Sequence, residues 1–181
     1  MPDKSERLRR DGPPVVGILT GSPNDLPVVL KAKDVLDELE IPSDVRVLSA
    51  HRTPVQTVRY VEQAEPQGIE VLIACAGLSA HLAGVVAAHT TLPVIGVPLA
   101  NGALEGMDAL LSTVQMPSGI PVATVAIDGS KNAAYLAARI LGATHPEVRE
   151  RLKERLERDR SRYDSPDLDV PSQAQRLSRD D

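Results

Sequence analysis

Five short apolar runs recur along the chain, and each gives way to a polar or glycine-containing stretch and then to apolar residues at helical spacing. The runs are residues 15–20, 45–48, 69–76, 93–97 and 122–127, and only Glu70 interrupts the third. Continuous rather than alternating apolar runs are the mark of strands buried on both faces. After the first run, Asn24 or Asp25 can cap a helix, Pro27 suits its first turn, and Val28, Ala32, Val35, Leu36 and Leu39 share one face. Pro54 opens a second helix with Val55, Val58 and Val61 as its apolar positions and Tyr60 alongside. Further helices are expected over residues 81–88, 107–114 and 132–141, and Pro98 is expected to close the fourth strand. Strands alternating with helices predict a doubly wound, three-layer α/β fold around a five-stranded parallel sheet, with right-handed crossovers.

At 181 residues the chain can bury a core without disulfide or metal staples. Its single cysteine, Cys75, excludes an intramolecular disulfide and a cysteine-based zinc cluster. Net charge is -5 and aromatic residues make up only 2%, which argues against a basic nucleic-acid surface and against base stacking. No apolar run approaches the length of a membrane span, and the polar start of the chain has no signal-peptide apolar region, so a cytoplasmic location is expected. With neither Phe nor Trp to fill the core, burial between subunits is expected to add to it. Residues 13–144 form the expected catalytic domain. Residues 145–164 read as an amphipathic helix whose thin stripe, Val148, Leu152 and Leu156, suits packing on a neighbouring subunit. Residues 1–12 and 165–181 are expected to be flexible.

In a doubly wound sheet, ligands bind at the carboxyl ends of the strands, and there the polar loops gather. Gly21, Ser22, Asn24 and Asp25 follow the first strand: backbone amides and a hydroxyl suit an anion, and Asp25 can instead take ribose hydroxyls. An ordinary strand-to-helix turn explains them equally well. Ser49, Ala50, His51, Arg52 and Thr53 follow the second strand, where Arg52 can hold a phosphate and His51 can move protons near neutral pH. Ala76, Gly77, His81 and Leu82 follow the third, with small residues that let a ligand approach the backbone. His81 reads either as a site residue or as a structural histidine at a helix start. His89 and His145 read as surface residues, Cys75 as a small buried hydrophobe, and no spacing makes a metal site.

Together these loops resemble the phosphoribosyl-aminoimidazole carboxylase catalytic-subunit family of purine biosynthesis, in its bacterial mutase form. The resemblance spans residues 15–141 and rests on Gly21-Ser22-Pro23-Asn24-Asp25, Ser49-Ala50-His51-Arg52-Thr53-Pro54, Ala80-His81-Leu82, residues 93–98, residues 114–124 and Asn132-Ala133-Ala134. It implies a flavodoxin-like fold and a homo-octamer. It implies an isomerase that moves the carboxylate of N5-carboxyaminoimidazole ribonucleotide to ring carbon four by decarboxylation and recarboxylation. His51 would be the acid–base residue and His81 would lie at the active site. Ser22, Asp25 and Arg52 would bind the nucleotide, with Asn24, Ser49, Ala50, Ala76, Gly77 and Leu82 completing the substrate site. No cofactor is implied: no metal, nucleoside triphosphate or biotin. The resemblance is looser at Leu78 and Cys75, where the family usually has glycine. Two other readings are direct carboxylation of aminoimidazole ribonucleotide by carbon dioxide, and a nucleotide-binding paralogue without catalysis. Arg52, where direct carboxylases commonly carry lysine, sides with the mutase.

Overall fold

A computed structural model describes residues 12–163. The strands are β1 (Val16–Thr20), β2 (Ser43–Val47), β3 (Val71–Gly77), β4 (Val94–Leu99) and β5 (Ala123–Thr124). The helices are α1 (Leu26–Glu38), α2 (Pro54–Ala64), α3 (Leu82–Ala88), α4 (Met107–Val114), α5 (Ser130–Leu141) and α6 (Pro146–Tyr163). All strand pairs are parallel, in the order β2-β1-β3-β4-β5, the flavodoxin-like order expected. The chain switches direction across the sheet between β1 and β3, so the loops that follow them diverge and leave a crevice.

Side chains of β3 alternate between two cores. Val71, Ile73 and Cys75 face α1, α5 and α6, while Leu72 and Ala74 face α2 and α3. That is why the strand reads as one unbroken apolar run. The α5 face is built of Ala133, Ala134, Ala137 and Ala138, all fully buried, and its small side chains let neighbouring helices approach closely. Val148 and Leu152 of α6 join this same core, and Leu156 stays exposed. The stripe expected to face a neighbour is therefore divided, its first two members buried within the chain.

Several expectations change in detail. The first loop is a 3-10 turn, Pro23–Asp25, capped by Ser22, whose hydroxyl accepts the Asn24 N–H at 3.2 Å; neither Asn24 nor Asp25 caps α1 through its side chain. On α2 the buried face is Thr57, Val61 and Ala64, and Val55 is exposed. β4 runs through Pro98. The Pro98 carbonyl accepts from Asp128 N on the β5 side, so the missing N–H falls where the short β5 has already ended. β5 pairs over two residues, not six: Pro121 cannot donate to the ladder, and the chain turns away through Asp128 at φ 55°.

His145 is not a surface residue. It is 1% exposed, and its Nε2 lies 2.9 Å from Oε2 of Glu70 at the amino end of β3. Backbone bonds from His145 N to Leu141 O and from Val148 N to His145 O hold it between α5 and α6. The flexibility expected of residues 1–12 and 165–181 concerns residues that, apart from Gly12, lie outside the described ones.

Candidate active site

At the carboxyl edge, the loops after four strands surround a cleft of about 530 Å³. Ser22, Asn24 and Asp25 come from the loop after β1, Ser49, Ala50, His51 and Arg52 from that after β2, and Ala76, Gly77 and Leu82 from the end of β3 and the start of α3. All these residues were expected in the site from the sequence. His81 is not among the wall residues but lies exposed against His51.

The second loop is folded by its own hydroxyls. Thr53 Oγ1 accepts the Ser49 N–H at 2.9 Å and donates to the Ser49 carbonyl at 3.1 Å, while Ser49 Oγ accepts the Arg52 N–H at 3.2 Å. Local side-chain-to-backbone bonds of this kind hold a tight turn without help from the sheet. The turn presents His51 and Arg52 outward, both exposed. Among the described residues the Arg52 guanidinium has no acidic partner, so its fork of donors is available to an anion in the cleft.

His51 Nε2 lies 2.9 Å from His81 Nδ1, with the rings edge to face at 90°. His81 occupies the N-cap position of α3, so a rigid helix sets its ring. One nitrogen of the contact donates and the other accepts, and the tautomer of each ring decides which. This gives the cleft an acid–base group oriented by a second residue.

Asp25 is the most buried polar group of the cleft, 8% exposed. Its Oδ2 accepts from Thr20 Oγ1 at 3.3 Å and its Oδ1 from Asn101 Nδ2 at 3.0 Å. Beneath it lies Cys75, whose thiol is pushed up to about 12 by burial and then by the charge of Asp25. A thiol so disfavoured as a thiolate is no nucleophile, in keeping with its reading as a core residue.

Sequence reasoning included Gly21 in the first loop but missed Ser79 and Asn101 on the wall. Asn101 follows β4 at the carboxyl edge, the same position that singled out the other loops, and that was the available signal. A larger groove, about 900 Å³, lies at the opposite edge among Leu92, Pro93, Ile120 and Pro121. It is mostly apolar, and its polar residues, such as Glu62 and His89, form no arrangement comparable to the His51 pair. Chemistry rather than size therefore picks the smaller cleft. Among the described residues no group of three or more His, Cys, Asp or Glu side chains could hold a metal ion, and no helix is long and apolar enough to cross a membrane.

A flavodoxin-like sheet with an oriented histidine, a buried carboxylate and an arginine without an acidic partner among the described residues at its strand ends has the features that suit a small anionic ligand and proton-transfer chemistry. The chain belongs to the AIR carboxylase family, whose pattern matches residues 15–162. It is 57% identical over 140 residues to an N5-carboxyaminoimidazole ribonucleotide mutase of Pyrococcus horikoshii, covering 77% of this chain and 79% of that one. A mutase of the same name from Mycobacterium tuberculosis is 49% identical over 167 residues, 92% of this chain and 96% of the relative. The crystal structure of Treponema denticola PurE superposes with a TM-score of 0.79 at 31% identity, covering 86% of this chain and 99% of that one.

Proposed function

We propose that the protein is an isomerase of purine biosynthesis that converts N5-carboxyaminoimidazole ribonucleotide to 4-carboxyaminoimidazole ribonucleotide. The observation that carries this reading is the 2.9 Å His51–His81 contact in a cleft that also holds the unpaired Arg52. In the Mycobacterium tuberculosis relative, a protein named for this activity, the likeness extends over nearly the whole of both chains.

The chemistry needs one proton carrier. Protonated His51 delivers its proton to the exocyclic nitrogen; the N–C bond breaks, its electron pair stays on nitrogen, and carbon dioxide is released. The enamine-like ring attacks that carbon dioxide through carbon four, forming the new C–C bond. Neutral His51 then takes the proton from carbon four, and the C–H electron pair restores the aromatic ring. The histidine ends protonated, as it began, and His81 holds its ring in place throughout. Walls on four loops keep the carbon dioxide beside the ring between the two steps, a proximity effect. Arg52 and the first loop, with Ser22 and Asn24, take the phosphate, and Asp25 takes sugar hydroxyls. Ser49 shapes the turn, while Ala50, Ala76, Gly77 and Leu82 bound the ring space. These contacts orient the ring and perform no bond chemistry.

The protein works as a cytoplasmic homo-oligomer, an octamer, in this reading. Leu104, Met107, Leu111 and Val114 fall three or four residues apart along α4 and the turn before it, and each is 48–62% exposed. Such a stripe fits a second copy of the chain, as do Leu156 and Tyr163 on the outer part of α6. Sedimentation of the intact chain and of Leu111→Glu tests this: a large oligomer is expected for the first and smaller species for the second, and a monomeric intact chain contradicts it.

The activity is tested by mixing purified protein with N5-carboxyaminoimidazole ribonucleotide in buffer containing carbon-13 bicarbonate, following product by ultraviolet absorbance and its carboxyl label by mass spectrometry. Product that keeps the substrate's unlabelled carboxyl carbon supports the mutase. Product that carries the buffer label supports direct carboxylation of aminoimidazole ribonucleotide, and binding without product supports a non-catalytic paralogue.

A further inference from the structure

Two loops of the cleft are locked together by a reciprocal seating of side chains. At the end of β3, Gly77 leaves room for Asn101: a Cβ there would lie 2.4 Å from Asn101 Nδ2 and 2.9 Å from its Cβ. One residue beyond Asn101, Gly102 at φ +77° leaves room for Leu78, where a Cβ would lie 2.6 Å from Leu78 Cδ2. Leu78 itself stands at φ 55°, a left-handed conformation that leucine rarely adopts, and is 53% exposed. A bulky apolar residue persists in that conformation only when its surroundings over-determine it. The Asp128 carboxylate adds a third tie by accepting the Ala100 N–H at 3.0 Å.

The product of this lock is the position of Asn101. Its amide nitrogen donates to Asp25 Oδ1 at 3.0 Å, and because a carboxylate only accepts, the amide orientation follows. Thr20 fills one acceptor direction on the other carboxylate oxygen from the core side. A carboxylate has about four such directions, so part of its capacity is left toward the cleft. The Asn101 amide oxygen accepts from none of the described residues, and Asn101 lines the cleft beside Asp25. An amide oxygen next to a carboxylate is a pair of adjacent acceptors, the complement of two adjacent donors.

We propose that Asn101 is a positioning and sugar-selecting residue: it aims Asp25 and reads with it the vicinal 2′- and 3′-hydroxyls, so that the site prefers ribonucleotides to 2′-deoxyribonucleotides. The proposal rests on the ribonucleotide reading of the cleft. A site built to bond a hydroxyl leaves its own polar groups unpaired when the hydroxyl is missing, which is the strongest source of such discrimination.

The experiment is calorimetric titration of the intact protein with 5-aminoimidazole ribonucleotide and with its 2′-deoxy counterpart. The unaltered protein is expected to prefer the ribonucleotide by about 10-fold or more, since bonds to a charged group are involved. Asn101→Ala is expected to reduce the preference to about 3-fold or less, by weakening ribonucleotide binding and leaving the deoxy ligand little changed. Asn101→Ser, which can still donate to Asp25, should retain an intermediate preference, and it reports in place of the alanine variant if that one fails to fold. A general loosening of the cleft would weaken both ligands alike. Binding of both nucleotides with no preference, or a preference unmoved by either substitution, overturns the role of Asn101. Failure of the unaltered protein to bind either nucleotide overturns the ribonucleotide reading itself.

Discussion

Two histidines meet polar partners at opposite ends of the same sheet, at nearly the same distance, and in opposite surroundings. At the carboxyl edge, His51 and His81 touch at 2.9 Å on exposed loops. At the amino edge, His145 meets Glu70 at 2.9 Å but is 1% exposed and is gripped by backbone bonds on both sides. The first pair is exposed among the described residues, which leaves it open to a ligand. The second is consumed by structure: it ties the α5–α6 junction to the start of β3 and has no face left for a substrate. A short contact to a polar partner therefore says little about catalysis until burial is known.

The largest expected effect falls on the exposed pair. His51→Asn should lower turnover by about 10³-fold, within the range of general acid–base catalysis, while nucleotide binding stays within a few-fold. Initial rates and calorimetric binding on the same preparation check this, and near-normal turnover would remove His51 from the mechanism. Arg52→Ala should weaken the nucleotide by about 10- to 100-fold, the worth of a charge-assisted contact, and leave the unphosphorylated nucleoside unchanged. Equal losses for both ligands would show that Arg52 does not hold phosphate.

At the other end the signature reverses. His145→Ala should destabilise the fold by about 2 kcal/mol, from a lost buried hydrogen bond and the space left behind. For a chain of this size that is a fall in melting temperature of about 5 °C, with turnover per folded molecule retained. A turnover loss without a stability loss would break the contrast between the two ends.

The smallest effect concerns alkaline pH. Burial raises the ionisation of the Cys75 thiol to about 12, and burial followed by the charge and hydrogen bond of Asp44 raises that of the Tyr60 phenol. Both groups ionise earlier in the unfolded chain, so above about pH 9 the unfolded state binds fewer protons and stability falls as pH rises. Cys75→Ala should flatten that fall by up to about 1 kcal/mol per pH unit, read from denaturant unfolding between pH 8 and 10. An unchanged slope would mean that Cys75 is not the group being titrated.

The contrast also marks how far the sequence could be read. Strands buried on both faces announce themselves as apolar runs, so the layers, the strand count and the loops that bear His51, Arg52 and His81 were legible. His145 was not, because its neighbours Thr144 and Pro146 look like a surface turn and its partner Glu70 lies 75 residues away. The division of the α6 stripe escaped for a related reason: Val148 and Leu152 join a core whose other members come mostly from β1, β3, β4, α1 and α5, all but α5 far away in sequence. Asn101 is flanked in sequence by Ala100 and Gly102, and the partner that its amide meets, Asp25, lies 76 residues away. Continuation of β4 through Pro98 depended on where an adjacent edge strand happened to stop.

The account stands on the carboxyl-edge cleft holding a ribonucleotide with its ring against His51. A crystal structure with bound 4-carboxyaminoimidazole ribonucleotide tests that directly. The account predicts phosphate at Arg52 and the first loop, sugar hydroxyls at Asp25 and Asn101, and ring carbon four within reach of His51. A nucleotide seated in the groove at the amino edge, or in this cleft with its ring turned away from His51, would contradict it.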